Sequence, residues 1–204
     1  MHVYTLANGP FMVNSYMVFN NDRGIIIDPG SGIDPLLDKA EAEGVSIEAV
    51  IATHGHIDHI DGVNRVKAKT GAPFYVSAPD LPLVRNVQMQ ANMFGLRPIG
   101  EITAEKELPL SGDIKIAGLD CALFYTPGHS KGSVSILIED YLFSGDVLFS
   151  YSIGRTDLPG GDYAELINSI KNNILIMPDD TKVLSGHGPE TTVGMEKKHN
   201  PFLQ

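Results

Sequence analysis

The feature that most constrains how this chain can fold is a cluster of histidines in its first third. The segment Thr53–His59 reads THGHIDH, so three of the seven histidines of the chain fall within six residues. It continues the apolar, partly β-branched segment Ile47–Thr53, which predicts a buried strand. In an extended loop the side chains of His54 and His56 point to the same side. A turn into a helix directs Asp58 and His59 to a different side. One loop can therefore supply two pairs of ligands to two neighbouring metal ions.

Three later segments each place one further ligand at the end of a predicted strand, in the sequences TPGH, SGD and SGHG. A glycine beside each ligand lets the backbone approach closely without a Cβ clash, and strand ends are where α/β sheets gather functional groups. Together with the first segment, the predicted metal ligands are His54, His56, Asp58, His59, His129, Asp146 and His187. Imidazole and carboxylate donors suit Zn, Fe, Mn or Ni. Seven of them predict a dinuclear site with three ligands for each metal, one shared carboxylate and room for a bridging hydroxide.

The order of predicted elements favours an α/β fold, a four-layer αβ/βα sandwich with two mixed β-sheets, because hairpin-like neighbours are too frequent for an all-parallel sheet. One helix is expected to begin with Asp34 as its N-cap and Pro35 at its first position. Further helices are expected over Val63–Thr70, with Gly71 as a left-handed C-cap, and over Tyr163–Ile176. The 204 residues contain no low-complexity segment and no linker. We therefore expect a single domain over residues 1–204.

Charge and composition exclude several classes of function. The formal net charge is -10, from 15 Lys and Arg against 25 Asp and Glu, and this field repels nucleic acids. A single cysteine, Cys121, can form neither an intrachain disulfide nor a Cys-rich zinc site. No apolar stretch approaches the roughly 20 residues of a membrane helix, and no signal segment begins the chain. We expect a soluble, cytoplasmic protein without nucleic-acid or membrane partners, whose oligomeric state is left open.

The histidine and aspartate motifs resemble those of the metallo-β-lactamase fold superfamily, with its THxHxDH signature and downstream His, Asp and His. The resemblance covers nearly the whole chain. It implies the following division of ligands: His54, His56 and His129 on one metal, Asp58, His59 and His187 on the other, and Asp146 as the bridge. It also implies that Asp58 orients the hydroxide and that Asp28, at the end of the IIID segment, orients a ligand. The alternative for Asp28 is a turn carboxylate before a proline.

Three further segments resemble the single-domain glyoxalase II-like hydrolases: Gly154–Asp162 (GRTDLPGGD), Gly186–Pro189 (GHGP) and Asn200–Leu203 (NPFL). Members of that group hydrolyse thioesters such as S-lactoylglutathione. The resemblance implies a dinuclear thioester hydrolase that acts through a metal-bridging hydroxide on a small-molecule thioester, with Zn as the first choice and Fe or Mn as alternatives. Arg155 stands where that group has a glutathione-contacting lysine and is expected to bind substrate. Its alternative is a structural ion pair with Asp157.

Other reactions within the superfamily are alternatives to thioester hydrolysis. Persulfide dioxygenases share the ligand motifs and a similar GRTD segment but use one iron and oxygen, so the ligand set alone does not separate them from the hydrolases. The LPGG sequence that follows favours the hydrolase. β-Lactam hydrolysis is disfavoured because His59 is present and no cysteine stands at the position of Asp146. A non-catalytic metal-binding role would leave the open hydroxide position without a purpose.

The segment Val84–Leu96 has two apolar stripes at helical spacing, more than one core face requires. We expect the stripe that runs from Val84 to Phe94 to lie in the core. The stripe with Met89 and Met93 is expected to line the substrate cleft or a subunit contact, because methionine adapts to irregular apolar groups.

Overall fold

The computed structural model describes residues 1–204 and contains two six-stranded sheets. The first sheet has, in spatial order, β1 (His2–Asn8), β2 (Val13–Asn20), β3 (Arg23–Ile27), β4 (Ser46–Ile51), β5 (Phe74–Val76) and β6 (Lys106–Glu107). The strands of the second are β7 (Gly112–Ile116), β8 (Leu119–Tyr125), β9 (Val134–Ile138), β10 (Tyr141–Gly145), β13 (Lys182–Ser185) and β14 (Thr191–Thr192). A separate short hairpin consists of β11 (Leu148–Phe149) and β12 (Ser152–Ile153).

Both sheets are mixed, as predicted. In the first sheet the pairs β1–β2 and β2–β3 are antiparallel, whereas β3, β4, β5 and β6 are parallel to one another. In the second sheet all pairs are antiparallel except β10 with β13. The β2–β3 turn has only two residues, and Asn21 takes a positive φ of 54° there, a conformation that asparagine tolerates.

Seven α-helices flank the sheets: α1 (Asp34–Ala42), α2 (Ile57–Ile60), α3 (Val63–Thr70), α4 (Leu81–Arg85), α5 (Val87–Met93), α6 (Tyr163–Ser169) and α7 (Val193–His199). The predicted end of α3 is confirmed, since Gly71 is its left-handed C-cap. The predicted cap of α1 is wrong: Ile33 is the N-cap and Asp34 is already helical. The Asp34 carboxylate instead accepts a hydrogen bond from Arg65 at 2.6 Å on α3, so a contact between helices replaces the local one. None of the helices is long and apolar enough to cross a membrane.

Three hydrophobic clusters separate four layers. One cluster lies between the first sheet and α1 to α5, one between the two sheets, and one between the second sheet and the helices that follow β12. On β2, Tyr16 and Val18 point to the facing sheet, whereas Met17 and Phe19 point to the helices. Because both faces of this strand are buried, its residues Tyr16–Phe19 form an uninterrupted apolar run. The layers are therefore those of an αβ/βα sandwich.

Candidate metal centre

All seven predicted ligands lie together at one edge of the sandwich, where four strands end. His54 and His56 follow β4, and Asp58 and His59 lie on α2, which comes immediately after them. The other three ligands, His129, Asp146 and His187, follow β8, β10 and β13. The sequence thus gathers ligands that are up to 133 positions apart, because these strands direct their carboxyl ends to the same edge.

Three histidines form the first group of ligands. The distance between the ring nitrogens His54 Nε2 and His129 Nε2 is 3.2 Å, and that between His56 Nδ1 and His129 Nε2 is 2.8 Å. Metal–nitrogen bonds of ~2.0–2.1 Å in a tetrahedral site place neighbouring ligand atoms roughly 3.3 Å apart. All three rings are buried and converge on one point, so their arrangement fits a metal ion.

Asp58, His59 and His187 form a second group, and Asp146 lies between the two. Asp58 Oδ2 is 3.1 Å from His187 Nε2 and 3.8 Å from His59 Nε2. The two oxygens of Asp146 lie 3.3 Å from His59 Nε2, 3.5 Å from His129 Nε2 and 3.6 Å from His187 Nε2. This one carboxylate therefore contacts ligands of both groups.

Two buried polar atoms between the groups have no hydrogen-bond partner. They are His59 Nε2 and Asp146 Oδ1, which lie 3.3 Å apart. A buried polar atom without a partner costs free energy, and native structures contain few of them. A bound cation would satisfy both atoms. This observation, together with the donor set, identifies a metal-binding site formed by His and Asp residues.

The protonation of three of the ligands suits metal binding, whereas neighbouring carboxylates outweigh burial and raise the pKa of His59 and His187. Burial and the neighbouring imidazoles lower the pKa of His54 well below its usual value, and burial with His129 lowers the pKa of His56 to about 3. These two rings are therefore neutral at neutral pH, as metal ligation requires. Burial would raise the pKa of Asp146, but the histidines around it, His59 above all, outweigh burial and lower it. Its carboxylate is therefore ionised.

Asp28 contacts both the ligand His59 and the start of the ligand loop. It is 1% exposed, and its Oδ2 lies 2.9 Å from His59 Nδ1. Its two oxygens also accept hydrogen bonds of 2.7 Å from the backbone N–H and the hydroxyl of Thr53. An Nδ1 proton that faces Asp28 leaves His59 Nε2 free to face the site. The structure thus places Asp28 where the sequence predicts a partner of a ligand.

Two other ligand rings are oriented by backbone carbonyls. His129 Nδ1 lies 2.7 Å from the carbonyl oxygen of Arg155, and His187 Nδ1 lies 3.1 Å from that of Phe11. Both contacts hold the ring so that its Nε2 points towards the other ligands. Arg155 therefore acts on the site through its backbone, whatever its side chain does.

Sequence reasoning missed Asp80, which joins two ligand loops. Asp80 is fully buried, and its oxygens accept hydrogen bonds from Gly55 N at 2.8 Å, Ser130 Oγ at 2.7 Å and Gly132 N at 2.7 Å. Gly55 lies between two ligands, and Ser130 follows another. A Cβ at Gly132 would come within 2.7 Å of Asp80, so the close approach requires glycine there. In the sequence, Asp80 ends the segment SAPD, which has the form of an ordinary helix start and carries no signal of this role.

The Arg155 side chain is paired with Asp157 in this structure. Its Nε and Nη2 each donate a hydrogen bond of 2.7 Å to the Asp157 carboxylate, and both side chains are exposed. Arg155 is also one of the residues that line the cleft above the metal ligands. The structure therefore contains the Arg155–Asp157 ion pair, and substrate binding by Arg155 stays a prediction.

The cleft above the ligands has a volume of about 380 Å³ and largely aromatic and aliphatic walls. Phe11 and Phe94 stand at its mouth with their rings edge to face, 5.4 Å apart. The prediction that Phe94 lies in the core is wrong, since it is 37% exposed. The reason is that α5 ends at Met93, so helical periodicity does not extend to the next residue. Metal ligands, an open cleft and apolar walls can bind and polarise a small organic substrate.

Comparison with known proteins extends these observations. Residues 8–187 match the metallo-beta-lactamase superfamily. A probable metallo-hydrolase of Bacillus subtilis, YqgX, is 38% identical over 200 residues, which cover 96% of this chain and 94% of the relative. The hydroxyacylglutathione hydrolase GloC of Haemophilus influenzae is 33% identical over 208 residues, which cover 100% and 98%.

Two solved structures are similar over almost their full length. BLEG-1, described as a B3 metallo-beta-lactamase, has a TM-score of 0.93 and 39% identity, with 99% of both chains covered. TTHA1623, solved in a di-iron-bound form, has a TM-score of 0.89 and 34% identity, with 98% of this chain and 100% of that chain covered.

Proposed function

Because the chain belongs to the metallo-beta-lactamase superfamily, we propose that it is a dinuclear metal-dependent hydrolase of thioesters, with S-lactoylglutathione or a related hydroxyacyl-glutathione as substrate. The observation that carries the proposal is the position of Asp146, whose carboxylate lies within 3.6 Å of ring nitrogens from both ligand groups. A shared carboxylate of this kind is what a pair of neighbouring ions requires.

The metal ions and the residues around them have different roles in the proposed hydrolysis. Bound divalent ions, with zinc as the first choice and iron or manganese as alternatives, would supply a hydroxide nucleophile at neutral pH and a Lewis acid for the thioester carbonyl. Asp58 faces the cleft, and the attraction of His59 and a hydrogen bond from His187 lower its pKa against the effect of burial. Asp58 is therefore an ionised acceptor that can orient the nucleophile by accepting its hydrogen. A thiol with a pKa near ~8.5 leaves as the thiolate, so no dedicated general acid is needed.

The thiol half of the substrate calls for a local cation. Glutathione carries carboxylates, whereas the whole chain has a formal charge of -10 and repels anions. Arg155 lines the cleft and has a planar fork that suits a carboxylate. Its present partner, Asp157, is exposed, and exposed ion pairs are weak because water screens them, so a substrate carboxylate can replace Asp157.

The experiment that tests the proposal separates hydrolysis from oxygen chemistry. Protein loaded with zinc under anaerobic conditions should release free thiol from S-lactoylglutathione, and Asp146→Ala protein should not. Protein loaded with iron should consume no oxygen with glutathione persulfide. Oxygen uptake that requires one iron per chain, without any thioester hydrolysis, would instead identify the persulfide dioxygenase alternative.

A second candidate function is β-lactam hydrolysis. The observation that favours it is the 39% identity to BLEG-1, which is described as a B3 metallo-beta-lactamase. A chromogenic cephalosporin in the same zinc-loaded preparation tests this candidate. We expect the kcat/KM for the thioester to exceed that for the cephalosporin, and the reverse order would replace the thioester assignment.

A further inference from the structure

A second cavity, of about 200 Å³, adjoins the cleft and is almost entirely apolar. We call it the side groove. It lies between the two short helices α4 and α5 and the loop that follows Arg155. The residues that form its inner end and its two walls are His56, Met89, Met93, Phe94, Leu158 and Pro159.

The polar groups of the side groove are already engaged with the protein. Gln90 accepts a hydrogen bond from Ile57 N and donates to the carbonyls of Gly55 and Leu83, each at 3.0 Å. Asn86 donates a hydrogen bond of 2.8 Å to a carbonyl of its own helix turn. With these donors in use, the groove has little to offer a polar or charged ligand. It therefore favours an apolar occupant.

The methionines of the side groove expose an apolar surface without a protein partner. Met89 and Met93 are 58% and 59% exposed, although they lie on the same helix as the fully packed Val87 and Ala91. The face of α5 with Val87 and Ala91 therefore packs in the core, and the face with Met89 and Met93 lines the side groove. Flexible thioether side chains adapt to apolar ligands of different length.

The side groove is continuous with the cleft above the metal ligands. His56, Phe94 and Leu158 line both cavities, whereas Arg155 and Asp58 line only the cleft. A molecule in the groove can therefore belong to the same substrate that reacts beside His56. If the charged thiol half lies near Arg155, the groove is left for the other side of the scissile bond.

We propose that the side groove binds the apolar acyl chain of the thioester substrate, so that acyl groups longer than lactoyl are preferred. This inference rests on the proposed thioesterase function. The expected gain follows from desolvation: a fully buried methylene is worth ~0.8 kcal/mol, which corresponds to about fourfold in affinity, and half burial gives about twofold.

A binding experiment tests the groove without turnover. S-methyl-, S-butyl- and S-hexylglutathione are thioethers that cannot be hydrolysed, and calorimetry on the zinc-loaded full chain gives the Kd of each. We expect Kd to fall about twofold to fourfold per methylene in the native protein. In the double variant M89Q/M93Q the dependence should fall below about 1.5-fold per methylene. Glutamine matches methionine in helix propensity, and both positions are exposed, so the variant should fold.

The matched control is M195Q, which changes a methionine that is 41% exposed on α7 and lines neither cavity. It should keep the chain-length dependence of the native protein. A dependence that is flat in the native protein, or that persists undiminished in M89Q/M93Q, would overturn the assignment.

A kinetic series identifies which half of the substrate occupies the groove. For S-acylglutathiones from acetyl to hexanoyl, kcat/KM should rise with chain length in the native protein and in M195Q but not in M89Q/M93Q. A rise along a series of lactoyl thioesters of longer alkyl thiols, with no rise in the acyl series, would assign the groove to the thiol half and overturn the inference. Hydrolysis without any chain-length dependence refutes the inference alone. Absence of all thioester hydrolysis refutes the proposed function and the inference with it.

Discussion

Replacing Asp80 by asparagine should loosen the connection between the two loops that carry His54, His56 and His129. The Asp80 carboxylate accepts hydrogen bonds from one hydroxyl and two backbone N–H groups, those of Gly55 and Gly132. An asparagine has the same shape but only one acceptor oxygen. Whichever way the amide is turned, its NH₂ group faces one of the two backbone donors, which then has no acceptor.

The magnitude follows from that single unsatisfied donor. A buried N–H without a partner costs roughly 1–3 kcal/mol. Burial raises the pKa of Asp80 despite its three donors, so the buried charge is itself unfavourable and its removal adds nothing to the cost. We therefore expect Asp80→Asn to lower the free energy of unfolding by about 2 kcal/mol. For a chain of this length, that change lowers Tm by roughly 4–8 °C.

Unfolding should be measured in the presence of a chelator, so that metal binding does not contribute to stability. Zinc affinity is then measured separately, and we expect it to fall about 10-fold to 100-fold, as when other partners of metal ligands are removed. Asp113→Asn, at an exposed position on β7, is the control and should change stability by less than about 0.5 kcal/mol. If Asp80→Asn matched this control in both measurements, the role assigned to Asp80 would be refuted.

Three further predictions concern the ligands, the contact between the sheets and the cleft. Asp146→Ala should lose most of the bound metal, because the Asp146 carboxylate lies within 3.6 Å of ring nitrogens from both ligand groups, whereas His59→Ala should mainly empty one site. Elemental analysis that finds two metals in Asp146→Ala would contradict this. Tyr16→Phe should lower the free energy of unfolding, measured by urea titration, by about 1 kcal/mol, because the Tyr16 hydroxyl donates a hydrogen bond of 2.6 Å to a carbonyl of β13. Burial raises the pKa of this hydroxyl, so it keeps its proton and remains a donor. Equal stability of the variant and the native protein would contradict this prediction. Arg155→Ala should raise KM for S-lactoylglutathione more than it lowers kcat. Asp157→Ala should lower KM, because it frees the Arg155 guanidinium from its ion pair. An unchanged KM in both variants would show that Arg155 has only a structural role.

The sequence predicts those parts of the site that depend on local sequence patterns. The segment Thr53–His59 places ligands on both sides of a strand-to-helix turn, and the structure has that turn between β4 and α2. The mixed sheets follow from the frequency of hairpin-like neighbours. Both depend on residues only a few positions apart, where geometry and spacing determine each other.

The parts that escape prediction depend on contacts between distant segments. Asp80 acts on residues 25 to 52 positions away, and nothing around it differs from an ordinary helix start. Asp34 has the sequence of an N-cap, but its carboxylate pairs with Arg65 on another helix. Phe94 continues a helical stripe in sequence although α5 has already ended. In each case tertiary packing overrides a local preference.

The central claim is that the seven ligands bind two metal ions with Asp146 between them. A crystal structure of zinc-soaked protein, with anomalous data collected on both sides of the zinc edge, tests this most directly. We expect two anomalous peaks per chain, one among His54, His56 and His129 and the other among the second ligand group, with Asp146 in contact with both. A single peak, or two peaks of which neither contacts Asp146, would contradict the account.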